Sequence, residues 1–222
     1  DPKAEIDAAF ALAEVTGKTL DLHIDETEDP GMLSLDYLAT KTKMHGMHGN
    51  VTAGHCCSLA FVEPARAHRV LENVAEARLH MVTLPSCNLV LMGRAMQPTP
   101  RGITLIKDIL AHGINICAAS DNVNDPFNPF GNYDLLHIAN LTAHTAHLSG
   151  ADEIYTALRM VTTNAAQTLG LTSHPIAAGH VANLVVLDTV EPLQAVTTIP
   201  TRLATFKNGK QLVRTTVSQR WA

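Results

Sequence analysis

An alternation repeated four times constrains this chain most. Between Ala4 and Asp121, a stretch of helical period leads each time through a short connection into a brief apolar run. The helical stretches are residues 4–17, 32–47, 64–77 and 102–112, with apolar residues at three- and four-residue intervals, as in Ile6, Phe10 and Ala13. Gly17 and Gly113 close the first and last of them, and Pro64 suits the first turn of the third. The apolar runs are residues 19–25, 51–55, 79–84 and 114–119. Strands separated by helices pair in parallel through right-handed crossovers, so this order predicts a parallel α/β sheet. Four such strands make half of an eight-stranded barrel or a small open sheet.

Three of the four runs end on residues able to hold a metal or carry a proton. The first runs into His23, Asp25 and Glu26, the second into His55, the last into Asp121. In a parallel barrel the strand C-termini converge on one face, which brings these ends to one pocket. Asp25 reads as a structural turn residue. His45 and His48 close the second helical stretch and read as helix-end residues. His68 reads as a helix surface residue. His144 and His147 lack the acidic residue of a His-Glu-x-x-His pattern and read as non-ligating.

After Asp121 the turn-rich residues 122–131 form a long loop suited to a lid or site loop. Helices are expected over residues 135–148 and 152–169. From Pro175 the texture becomes β-rich, with short strands at 183–188 and 203–207 and an Asn208-Gly209 hairpin turn into 210–215. The expected domains are therefore residues 1–174, the α/β part, and residues 175–222, a small β-rich part.

Composition removes several function classes. A formal charge of −5 without a basic cluster argues against a nucleic-acid surface, and 4% aromatics against a base-stacking platform. No run reaches the roughly 18 apolar residues of a membrane span. Cys56, Cys57, Cys87 and Cys117 have neither disulfide-framework nor zinc-ribbon spacing and read as small buried residues in a cytoplasmic protein. The N-terminus carries neither an initiator Met nor a signal-peptide pattern, and reads as a chain joined midway.

Taken together, the motifs resemble the amidohydrolase superfamily, and within it the cytosine deaminase-like branch. His23-x-Asp25-Glu26 is similar to that branch's fifth-strand motif and Gly54-His55 to its sixth-strand histidine. Asn88 to Arg94 is similar to the stretch after its seventh strand, and Ser120-Asp121-Asn122-Val123 to its eighth-strand motif. Thr163-Asn164-Ala165-Ala166 and Gly179-x-x-Ala182-Asn183 resemble its tail. The resemblance implies strands five to eight of a (β/α)8 metal-dependent hydrolase barrel plus a small C-terminal β-sheet domain. It implies one divalent metal ion, zinc or iron, with His23 and Asp121 as ligands. Such an ion lowers the pKa of bound water from about 15.7 towards about 7.

The resemblance further implies Glu26, His55 and Asp121 as catalytic residues and Asn88, Asn122 and Phe127 as substrate-binding ones. The implied reaction is hydrolytic deamination of a cytosine-like pyrimidine or related N-heterocycle. Release of an alkylamine from an aminotriazine is the alternative within the same chemistry, and a homo-oligomer is the expected assembly. Two departures stand out. No His-x-His metal pair precedes His23, so barrel strands one to four are expected on a missing N-terminal half or another polypeptide, and a non-catalytic half-site is a further alternative. Asn122 stands where these deaminases carry an aspartate, and Phe127 where they carry a tryptophan. An amide both donates and accepts, which favours a substrate other than cytosine.

Overall fold

The computed structural model describes residues 1–171, 176–218 and 220. Four strands, β1 (Leu20–Ile24), β2 (Val51–His55), β3 (His80–Thr83) and β4 (Ile116–Ala118), form one sheet in sequential order, all neighbours parallel. Sequential order with right-handed crossovers keeps the connecting helices on one face, as in part of a (β/α)8 barrel. That face holds the core. Leu20, Leu22 and Ile24 of β1, with Val51 and Ala53 of β2, pack on Ile6 and Phe10 of α1 (Pro2–Thr16) and Leu35 and Leu38 of α2 (Leu35–Met44). The opposite face of β1 carries Asp21 and His23, both exposed.

The helices follow local chemistry closely. Asp1 caps α1, and Gly17 ends it in the left-handed region. The stretch expected as one helix over 32–47 is divided. A 3-10 turn at Pro30–Met32, capped by Asp29, precedes α2. The α2 helix starts only at Leu35 because the Asp25 carboxylate accepts hydrogen bonds from the backbone N–H groups of Ser34 and Leu35. The third helix, α3 (Pro64–Ala77), has the expected limits.

After β3 a short helix, α4 (Pro85–Leu91), stands where no helix was expected. The stretch expected as a helix over 102–112 is helical only at α5 (Ile106–Ala111). Gly102 has φ +69, and a Cβ there would lie 2.3 Å from Met92 Cβ, so the backbone at Gly102 lies close against Met92 outside the helix.

Beyond β4 come α6 (Leu135–Thr145), α7 (Ala151–Met160) and α8 (Thr163–Thr168). The helix expected over 152–169 is thus broken at Val161-Thr162. Three β-branched residues in a row weaken the helix there, and Asn164 Nδ2 donates to Ile116 O, tying α8 to β4. The second sheet is the antiparallel β5 (Leu184–Leu187), β6 (Arg202–Lys207) and β7 (Lys210–Arg214), with a short α9 (Gln194–Thr197) between β5 and β6. Asn208 and Gly209 both have positive φ, as the expected tight hairpin requires. The expected boundary between residues 174 and 175 lies outside the described residues. Among the described residues no helix is long and apolar enough to cross a membrane.

Candidate active site

Side chains from the C-terminal ends of all four parallel strands meet in one cluster, and left-handed backbone steps bring several of them there. Side chains alternate along a strand, so His55 should share the core-facing side of Val51 and Ala53. Its φ of +65 turns it out of that alternation. His55 Nε2 comes to 2.9 Å from His23 Nδ1, although His23 pairs across the sheet with Gly54. Asp25 (φ +56) and Asp121 (φ +60) make the same kind of step after β1 and β4. Non-glycine residues in this region cost of order 1–3 kcal/mol each and persist where surrounding structure fixes them.

Asp25 supplies part of that fixation. It is buried, and one carboxylate oxygen accepts from Ser34 N–H and Ser34 Oγ–H while the other accepts from Leu35 N–H. The left-handed step at Asp25 thus sends its own side chain to the start of α2 and frees Glu26 to face the cluster. The structural role expected for Asp25 agrees with this geometry.

His55 is 1% exposed and sits at the centre. Its Nδ1 is 3.2 Å from Glu26 Oε1 and 2.9 Å from Asn88 Nδ2, and its Nε2 is 3.8 Å from Asp121 Oδ2. Burial lowers the His55 pKa and the His23 imidazole adds to this, while the Asp121 charge and the Asn88 bond oppose it. The ring is therefore biased to the neutral form. Glu26 is shifted the other way: burial and then the Asp121 charge raise its carboxyl above the usual range, with His23 opposing. An imidazole biased to the neutral form and a carboxyl inclined to keep its proton thus lie 3.2 Å apart.

The donor set suits a divalent ion. One ligand atom from each of His23, His55 and Asp121 lies within 4.8 Å of the others. Imidazole with carboxylate is a ligand set that zinc and iron both accept. His55, expected only as a catalytic group, falls inside this set as well.

Asn88 is 1% exposed and bridges Glu26 and His55, Nδ2 donating to Glu26 Oε1 at 3.3 Å. Its Oδ1 has no hydrogen-bond partner among the described residues. Asn122 borders the cluster through Cys87. Phe127 stands apart from the others. It is 63% exposed on the loop, and its backbone N–H donates to Asp125 Oδ1. Of the histidines read as helix-end or helix-surface residues, His45 bonds Glu14 and His68 bonds His112. His144 bonds Asn140 O, and His147 contacts Arg101.

One residue escaped the sequence reading. Cys87 was expected to be only a small buried residue, yet its Sγ lies within 4.8 Å of ligand atoms of Glu26 and Asp121. Burial, then a hydrogen bond and the charge of Asp121, push its thiol up to about 12. It therefore stands in the site as a neutral thiol. The available signal was position: Cys87 follows β3 and directly precedes Asn88, and α4 turns both into the cluster.

The amidohydrolase family model matches residues 1–218. A pterin deaminase of Rhizobium rhizogenes is 39% identical over 172 residues, 77% of this chain and 39% of that protein. An N-isopropylammelide isopropyl amidohydrolase of a Pseudomonas species is 29% identical over 213 residues, covering 96% of this chain and 50% of that protein. Among solved structures, a 5-methylcytosine deaminase from Klebsiella pneumoniae superposes with a TM-score of 0.93 at 29% identity, covering 99% of this chain and 54% of that one. This chain thus spans about half the length of the relatives it matches, or less. The family match, nearly end to end, and the strand-end cluster agree: the chain belongs to the amidohydrolase family.

Proposed function

We propose that this protein is a metal-dependent aminohydrolase that removes an exocyclic amine from an oxo-substituted N-heterocycle of pyrimidine or pteridine type. The observation that carries the reading is the meeting of His23, Glu26, His55 and Asp121 at strand ends in one cluster. The similarity to a pterin deaminase and to a 5-methylcytosine deaminase supports this choice of substrate class.

His23 and Asp121 would hold the ion, which when bound supplies a water acidic enough to serve as nucleophile near neutral pH. The Asp121 carboxylate, 3.8 Å from His55 Nε2, accepts the proton that the attacking water loses. The Glu26 carboxyl, its pKa raised, donates a proton to the ring nitrogen beside the reacting carbon and makes that carbon more electrophilic. His55 stays neutral through burial and orients the attacking oxygen. Asn88, bonded to both Glu26 and His55, keeps the pair in register.

A second reading, release of an alkylamine from an aminotriazine, is favoured by the similarity to the N-isopropylammelide amidohydrolase. Metal analysis of the purified protein, followed by a heterocycle panel scored for ammonia against alkylamine, tests both. About one zinc or iron per chain with ammonia release is the expected result. Glu26→Gln should lower kcat by about 10²–10⁴-fold, the usual share of a positioned acid–base group. A metal-free protein inert after reconstitution would overturn the proposal.

A further inference from the structure

Two histidines outside the strand-end cluster face one another where α3 packs against α5. His68 lies on α3, and His112 directly follows the last residue of α5. His68 Nδ1 stands 2.9 Å from His112 Nε2, with the rings inclined at 60°. The far nitrogens have oxygen neighbours of their own. His112 Nδ1 is 2.7 Å from the Asp108 backbone carbonyl oxygen, and His68 Nε2 is 3.4 Å from Glu72 Oε1. The deamination chemistry uses none of these residues.

The placement of hydrogens sets this pair apart from an ordinary surface contact. A carbonyl oxygen only accepts, so His112 carries its hydrogen on Nδ1. The Glu72 carboxylate also only accepts, and its charge beside Nε2 favours the hydrogen of His68 there. A neutral imidazole has one N–H, and in both rings it then lies on the side away from the partner. The facing nitrogens are left as two lone pairs 2.9 Å apart, which repel unless a positive centre joins them. Metal-ligating histidines have this arrangement, with one nitrogen toward the ion and the other N–H donated to a carboxylate or backbone carbonyl.

The spacing agrees with such an ion. Nitrogens about 2.0–2.1 Å from one ion stand about 2.9 Å apart when they subtend an angle of about 90°. That is the cis angle of a tetragonal copper(II) or nickel(II) site, and both ions favour nitrogen and oxygen ligands. His68 is 62% exposed, so its ring can turn toward an ion arriving from solution, and water can fill the remaining positions.

We propose that His68 and His112 form a metal site of their own, which takes a divalent ion of copper(II) or nickel(II) type and pins α3 to α5. The site shares no residue with the strand-end cluster and does not rest on the deaminase reading.

Copper(II) is the probe. It is titrated into the full chain after incubation with zinc and removal of the excess. Bound copper is counted by equilibrium dialysis, and its ligands are read by electron paramagnetic resonance. The unsubstituted protein should bind one copper carrying the signature of two imidazole nitrogens. His68→Gln or His112→Gln keeps a polar side chain but removes the imidazole, and either should weaken that copper by at least about tenfold. The two exchanges together should do little more than one alone, because the histidines act as a unit. Copper at about a hundred times its Kd should raise the thermal midpoint of the unsubstituted protein by about 5–10 °C. Without copper, the midpoints of the variants should stay within about 2 °C of it, as for surface changes. His23→Ala, which alters the strand-end cluster, should keep this copper.

A copper count and spectrum unchanged by both glutamine variants would overturn the proposal and leave the pair as a hydrogen bond between surface side chains. A copper lost in His23→Ala but kept in His68→Gln belongs to the strand-end cluster and overturns it too. Copper bound through His68 and His112 in a protein that deaminates nothing would remove the deaminase reading and leave this one standing. Deamination with copper binding indifferent to both glutamine variants would do the reverse.

Discussion

In the parallel sheet, β2 is buried at every residue from Val51 to His55, whereas β7 of the antiparallel sheet is exposed at every residue from Lys210 to Arg214. Both sheets contain strands with several apolar residues, so apolar content does not separate them. Coverage does. Helices lie over one face of the parallel sheet, and burial at its strand ends shifts His55 and Glu26 in opposite directions. The antiparallel sheet leaves Val185, Val186, Leu212 and Val213 about half exposed and is held by its hairpin and ladder bonds. The titratable cluster sits at the ends of the covered sheet, where the buried His55 feels neighbouring charges more strongly because the local dielectric is low.

Substitutions at the strand ends should separate the two regions most sharply. His23→Ala or Asp121→Ala is expected to remove bound metal and lower kcat/KM by more than about 10³-fold, the scale of several kcal/mol of transition-state stabilisation. Val213→Thr, on the exposed sheet, should leave both unchanged. Elemental analysis beside steady-state rates checks this, and retained metal in both strand-end variants would break the comparison.

A packing pair tests the same contrast in stability. Leu38 is fully buried between helices and sheet, so Leu38→Ala should cost about 2–5 kcal/mol through lost transfer energy and the cavity left behind. Val186 is 44% exposed, and Val186→Ala should cost less than about 1 kcal/mol, close to an ordinary surface change. Denaturant unfolding measures both, and equal costs would show that the second sheet is covered in solution.

Asp25 links stability to the site. Asp25→Ala leaves the Ser34 and Leu35 N–H groups without their acceptor, at about 1–3 kcal/mol for a buried group. The step that aims Glu26 is loosened as well, so kcat should fall by more than the stability loss explains. A variant that is less stable but fully active would detach the helix cap from the chemistry.

The smallest effect concerns Glu153, in the first turn of α7. Bonds from the Gly150 backbone, Lys107 and the Ser149 backbone lower its pKa from 4.5 to about 2. A carboxyl depressed in the folded state contributes stability above its unfolded pKa and loses it as pH falls through the folded value. Thermal midpoints should therefore decline between about pH 4.5 and about pH 2, and Glu153→Gln should flatten part of that decline. The group is exposed, so the change is small.

Much of this was legible in the residues. The parallel strands lie within the expected runs, and α3 has its expected limits, because apolar spacing and an N-terminal proline are local signals. His23, Glu26, His55 and Asp121, which meet in the cluster, stood out because each lies at the end of an apolar run. The breaks in the expected helices were not legible. The start of α2 depends on Asp25, nine residues earlier, and the division of α7 from α8 depends on a bond to β4 from 48 residues away. Cys87 was missed because nothing local distinguishes a buried packing thiol from one beside two carboxylates.

The sequence by itself determined the parallel α/β order, the hairpin at Asn208-Gly209 and the residue types gathered for metal and proton chemistry. These follow from periodicity, turn propensity and side-chain chemistry, all of which are local. Only the tertiary structure decided which way those residues face. The left-handed steps at Asp25, His55 and Asp121 aim side chains against the simple alternation of a strand. They persist because distant bonds and packing hold them, and such constraints exist only once the chain has folded.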